Sequence, residues 1–173
     1  RVLVDLVPNH TSCDHPWFQA ARSSREDPKR DWYVWHDGGG PGVPPNNWRG
    51  AFIEGGRAWT WDDGTEQWYL HQFLPQQPDL NWANPEVVEA MHGVMRFWLD
   101  RGVDGFRIDV VHCIGRDPAF PDDVPPWSDL PHCVSNEHSS THEHIRGLRV
   151  LADGYDGDRV LVGETALPGT RYV

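Results

Sequence analysis

No stretch of this sequence approaches the roughly 18 consecutive apolar residues that a membrane span needs, so no helix is expected to cross a bilayer. Positive charge is scarce. Fifteen Lys and Arg stand against 26 Asp and Glu, a net charge of −11. A surface this acidic repels phosphate backbones and anionic lipid, so neither nucleic acid nor a membrane is expected as a partner. Cysteine is limited to Cys13, Cys113 and Cys133, an odd set with no C-x-x-C spacing. Free thiols are the expected state, with a Cys113–Cys133 bridge left open. No signal peptide is visible, and a cytoplasmic location is expected. Arg1 stands directly before an apolar strand, so the chain is expected to begin inside an element.

What is present is a globular composition. The 173 residues are 38% apolar, which excludes disorder and collagen and suffices for one domain with a real core. Three short runs read as buried strands: residues 2–7, 103–111 and 159–164. Each carries carboxylates at or near its C-terminal end. A helix is predicted from Pro85, capped by Asn84, with Val87, Val88, Met91, Val94, Met95, Trp98 and Leu99 at the 3.6 period and Gly102 as its stop. A second helix is predicted from Ser140, where Ser140-Thr-His-Glu143 has the capping-box spacing.

The order of strand, long insertion, helix, strand, loop, helix and strand implies parallel strands joined by right-handed crossovers. The insertion, residues 11–84, holds eight of the ten tryptophans. It is expected to be a small irregular subdomain with a few antiparallel strands, including 32–35 and 67–73. Most of its tryptophans are expected to fill its core. Three strands and two helices close no fold, and an eight-stranded barrel takes ~250 residues, so a piece of a larger barrel is expected. With two open sheet edges, such a piece alone is expected to be inactive.

The chemistry gathers at the strand ends. Side chains alternate along a strand, so in Gly105-Phe-Arg-Ile-Asp109 the pair Arg107 and Asp109 shares one face. By itself this reads as readily as a structural ion pair. Glu164 ends the next strand, and parallel neighbours lie roughly 4.8 Å apart. Two carboxylates so placed can approach the ~5–5.5 Å separation of a retaining glycosidase, one attacking the anomeric carbon and the other protonating the leaving oxygen. Asp5 lies in the first strand, with Asn9 and His10 just past its end. His132, His138, His142 and His144 show no recognised zinc spacing and are expected to lie in a solvated loop.

Asp5-Leu-Val-Pro-Asn-His10, Gln77-Pro-Asp-Leu-Asn81, Gly105-Phe-Arg-Ile-Asp109 and Gly163-Glu164 resemble, in order and approximate spacing, four short sequence regions of the α-amylase family of glycoside hydrolases. Gln77-Pro-Asp-Leu-Asn-Trp82 is similar to the version in its oligo-1,6-glucosidase and α-glucosidase branch. The resemblance implies an α/β fold: a partial (β/α)8 TIM barrel, about strands three to five, with an irregular α+β domain B insertion. Residues 1–10 would be strand three and its loop, 11–84 domain B, and 85–173 helix three to strand five.

The resemblance further implies that Asp109 is the nucleophile, Glu164 the acid/base and Arg107 the group orienting the nucleophile. His10 would contact the sugar. Phe73, Gln77 and Phe52 would line the glucose pocket, with Asp5 and Asn9 in supporting positions. Val110, directly after the nucleophile, is associated in this branch with acceptance of α-1,6 bonds. The expected activity is release of glucose from short α-glucosides, α-1,4 or α-1,6, through a covalent glucosyl-enzyme. The alternatives are a same-fold isomerase or transglucosylase such as a trehalose synthase, and a non-catalytic transporter heavy chain. The expected partner is a disaccharide or oligosaccharide, with the oligomeric state left open. The family's calcium or magnesium site, its terminal-glucose aspartate and its later His-Asp pair lie outside this chain, so no cofactor is expected within it.

Overall fold

The computed structural model describes residues 1–51, 56–123 and 138–165. Phe52, His132 and Cys133 lie outside these residues.

Two sheets organise the described chain. The first is parallel, with strands β1 (Leu3–Leu6), β5 (Gly105–Ile108) and β6 (Val160–Gly163) in the order β1-β5-β6. Its register pairs Asp5 with Arg107 and Arg107 with Val162. Phe106 and Ile108 are buried, which leaves Arg107 on the other face of β5. The second sheet is antiparallel and lies within the insertion, with β2 (Trp35–His36), β3 (Trp59–Asp62) and β4 (Gln67–Leu70) in the order β2-β4-β3. The first sheet, with its helices, is the partial barrel the sequence led us to expect.

Helix α2 (Pro85–Leu99) supplies the crossover into β5. Asn84 caps it by accepting from the Glu86 N–H at 2.9 Å, and Pro85 takes the position where a missing N–H costs nothing. Val87, Met91, Met95 and Leu99, spaced by four, form its buried face. Gly102 turns the chain out at φ +87° and donates to Leu99 O. Trp98 departs from the expected stripe: it is largely outside the core, beside Phe97.

Helix α3 (Ser140–Asp153) leads toward β6. Its expected capping box is not formed. Ser139 occupies the cap position without a side-chain bond, and Ser140 already lies inside the helix. His138 does the capping work: its Nδ1 receives the Ser140 N–H at 3.3 Å and contacts the Ser140 hydroxyl at 2.7 Å. His144 packs on Trp82, with ring centroids 5.1 Å apart.

The insertion differs from expectation at its start. Helix α1 (Pro16–Ser23) has no counterpart in the sequence reading, although His15 caps it by accepting from the Trp17 N–H at 3.1 Å. Residues Arg30–Trp32 form a 3₁₀ turn, so of the expected strand at 32–35 only Trp35 is in a strand. Trp32, Trp48, Trp59, Trp68 and Trp82 are buried, and Lys29 and Arg30 lie over the Trp32 and Trp35 rings. Trp48, Trp59 and Trp68 build a cluster within the insertion, whereas Trp32 and Trp82 join the core that also holds Phe106, Ile108 and Met91.

Candidate active site

The C-terminal ends of β5 and β6 bring Arg107, Asp109 and Glu164 together. Asp109 leaves β5 with its N–H donated to Leu6 O on one side, while the Glu164 N–H is donated to Ile108 O on the other. The backbone ladder therefore aims both carboxyls at the same end of the sheet. Arg107 Nη1 lies 2.9 Å from Asp109 Oδ1, and Nη2 lies 2.9 Å from Glu164 Oε2. Asp5, cross-strand from Arg107, stands farther off at 3.6 Å and is mostly exposed.

The two carboxyls lie close enough for each to act on the other's titration. Burial raises the Asp109 pKa, and the hydrogen bond to Glu164 and its charge raise it further, against the pull of Arg107. Glu164 is lowered, chiefly by the backbone N–H of Val110, with the bond to Asp109 and the Arg107 charge acting in the same sense and burial opposing. Asp109 is thus held above its ordinary value and Glu164 below its own. Arg107 is itself raised: burial pulls it down, and the charges of Glu164, Asp5 and Asp109 outweigh that.

Val110 makes this geometry. Its backbone is left-handed, φ +38° and ψ +46°, a rare conformation for a β-branched residue. Strain of this kind costs on the order of 1–3 kcal/mol and collects at functional sites. Here the turn directs the Val110 N–H to Glu164 Oε2 at 3.2 Å and the Val111 N–H to Glu164 O at 3.1 Å.

His10 stands in the loop after β1, where its backbone bridges to Asp79 and Leu80 N donates to Asn9 O at 2.8 Å. Gln77 Nε2 lies 3.0 Å from His10 Nε2, and the Phe73 ring centroid lies 5.4 Å from that of His10. Burial lowers the His10 pKa, with Asp79 and Asp109 opposing, so the ring is neutral near pH 7. The Gln77 amide donates to Nε2, which places the ring proton on Nδ1. Asn9 Nδ2 is 3.5 Å from Nδ1, too long for a firm bond. The structure thus groups His10, Phe73 and Gln77, and sets Asn9 behind them, fully buried.

Sequence reasoning missed what lies behind His10. Asp79 is fully buried and takes four donors: Asn9 Nδ2 and Gln72 N on Oδ1, Gln72 Nε2 and Arg116 Nη1 on Oδ2. Asp79 sits inside the motif at 77–81 and was legible there as one more carboxylate. Arg116 carries no signal at all, because only the fold brings it to Asp79. Among the described residues no group of three or more His, Cys, Asp or Glu could hold a metal ion, and no helix is long and apolar enough to cross a membrane.

The chain is similar to known proteins over most of its length. The family model described as "Alpha amylase, catalytic domain" matches residues 1–172. A probable alpha-glucosidase of Rhizobium meliloti is 54% identical over 170 residues, covering 90% of this chain and 30% of that protein. An alpha-glucosidase of Schizosaccharomyces pombe is 44% identical over 165 residues, covering 90% and 28%. The solved structure of an alpha-glucosyl transfer enzyme, XgtA, superposes with a TM-score of 0.88 at 41% identity, covering 96% of this chain and 33% of that one. The chain therefore spans about three-tenths of the length of the curated relatives it matches.

Proposed function

We propose, from the premise that this chain belongs to the alpha-amylase catalytic-domain family, that the protein carrying it is a retaining glycosidase releasing glucose from short α-glucosides. The observation that carries this reading is the pair Asp109 and Glu164 on adjacent strand ends, both held by Arg107. In this reading β1, β5 and β6 are barrel strands three, four and five, and residues 11–84 are domain B.

Asp109 attacks the anomeric carbon as a carboxylate, forming a glucosyl ester. Glu164 gives its proton to the glycosidic oxygen as that bond breaks. A water then gives its proton to Glu164 and attacks the same carbon, the ester breaks, and glucose leaves with its configuration retained. Without substrate the two shifts run the other way, Asp109 raised and Glu164 lowered. A sugar entering between the carboxyls weakens the hold of Glu164 on Asp109, which lowers Asp109 against Arg107. It also excludes water from Glu164, now 44% exposed, which raises it. Substrate binding thus shifts each group toward the state the reaction needs. His10, Phe73 and Gln77 line the sugar site, with Asn9 and Asp5 in support. Phe52 belongs to the same reading but lies outside the described residues. The reaction as written draws no cofactor from this chain.

A second reading, transglucosylation or isomerisation, is favoured by the close superposition on a glucosyl transfer enzyme. It shares the glucosyl-Asp109 intermediate and differs in whether water or a sugar captures it. A non-catalytic heavy chain would have no need of Asp109, Arg107 and Glu164 together.

The test is a mechanism-based glucosyl label on the full-length protein. Mass spectrometry is expected to find it on Asp109. Attachment to another carboxylate would overturn the assignment. Product analysis with and without added glucose separates hydrolysis from transfer.

A further inference from the structure

We propose that Arg116 is a positioning residue that, through Asp79, holds His10 in place beside Asp109. The proposal rests on the glycosidase reading for what His10 does, but not for how His10 is held.

Three segments distant in sequence meet at this point. The loop after β1 brings Asn9 and His10, the insertion brings Gln72 and Asp79, and the loop after β5 brings Cys113 and Arg116. Arg116 Nη1 lies 3.1 Å from Asp79 Oδ2, and Nη2 donates to Asn9 Oδ1 at 3.4 Å and Cys113 O at 3.3 Å. The side chains are 8% and 0% exposed, so this is an ion pair removed from water. A buried carboxylate is costly without a cation, and breaking such a pair costs far more than breaking an exposed one. The planar guanidinium suits the task, because one fork reaches acceptors on all three segments.

The position of the pair gives it a role beyond cohesion. Asp79 bridges His10 through the backbone, and its carboxylate takes the side chain of the adjacent Asn9. Gln77, two residues before Asp79, contacts the His10 ring. On the other side, Cys113 ends the 3₁₀ turn Val111–Cys113 that follows Asp109 and Val110. One cation therefore ties the segment carrying His10 to the segment carrying Asp109. The charged groups acting on His10 are Asp79 and Asp109, and Arg116 is paired with the first of them.

The experiment uses the full-length protein in a double-mutant cycle of Arg116→Met and His10→Ala, with kcat/KM read on an aryl α-glucoside. Arg116→Met alone is expected to cost about 10-fold or more, and less than about 3-fold in the His10→Ala background, because residues acting through one another are not additive. A second arm follows the His10 titration by NMR with labelled histidine. Removing the cation leaves Asp79 unpaired, so the His10 midpoint is expected to rise. Equal losses in both backgrounds, or an unmoved midpoint, overturn the proposal. If Arg116→Met does not fold, Arg116→Lys replaces it in the cycle, with the same non-additivity expected, because one ammonium cannot reach all three acceptors. If the protein cleaves no α-glucoside the glycosidase reading fails, and if His10→Ala is without effect the sugar-contact role of His10 fails; in either case the NMR arm alone decides the positioning claim.

Discussion

The guanidinium of Arg107 reaches Glu164 Oε2 at 2.9 Å from the neighbouring parallel strand, placing one fixed positive charge between two chain segments that are far apart in sequence. Arg107 is 38% exposed and Glu164 44%, and pairs this open contribute little to stability. Its value is therefore electrostatic and orienting.

Arg107→Met is accordingly expected to leave the melting temperature within about 3 °C of the parent, since a pair this exposed holds little of the fold's stability. The same variant is expected to lower kcat/KM by about 100-fold or more, a magnitude typical of removing one preorganised charge partner. Thermal melts and kinetics on one preparation check both. A large loss of stability with normal activity in the surviving fraction would make Arg107 a structural ion-pair residue.

Glu164→Gln is expected to slow substrates with poor leaving groups by about 10²–10⁴-fold, and aryl glucosides with good leaving groups far less. It also has a pH signature. The hydrogen bond to Glu164 and its charge hold Asp109 up, so their removal lowers the Asp109 pKa. Activity needs Asp109 ionised and fails on the acid side as it gains a proton. The acid limb of kcat/KM on an activated aryl glucoside is thus expected to move to lower pH. An acid limb that stays or moves up would show that Glu164 does not hold Asp109 up.

Gly105 sets the spacing of β5 and β6. A Cβ there would meet Val160 O at 1.9 Å, and that neighbour is backbone, with no flexible side chain to yield. Gly105→Ala is expected to cost about 1–3 kcal/mol or more and to depress kcat, because the same spacing aligns Asp109 with Glu164. Gly93→Ala is the control: it lies within α2 with nothing within 4 Å, and is expected to be neutral or to stabilise by about 0.5–1 kcal/mol. Melting temperatures that fail to separate the two variants would refute the spacing argument.

Val110 joins specificity to strain. Its left-handed backbone fixes where the branched side chain leaves the chain next to Asp109. The parent protein is expected to hydrolyse isomaltose measurably, and Val110→Thr to shift kcat/KM toward maltose by about 10-fold, the low end of what one small group in a pocket is worth, ~1–3 kcal/mol. An unchanged isomaltose-to-maltose ratio would remove Val110 as a linkage determinant.

How much of this was legible beforehand follows from how local each signal is. The strand runs around Asp5, Phe106 and Val160, the Asn84 cap and the Gly102 stop are written in adjacent residues, and alternation alone placed Arg107 and Asp109 on one face. Helix α1 and the capping of α3 were not legible, because in both a histidine does what Ser or Asp ordinarily does. The motifs also named Arg107, Asp109, Glu164, His10 and Gln77, which the structure brings together in two groups. Only the tertiary structure decided the rest. That Arg107 reaches Glu164, that Val110 turns left-handed to give Glu164 its N–H, and that Arg116 finds Asp79 all depend on segments separated by tens of residues. Such contacts arise from sheet register and packing, which no local periodicity encodes.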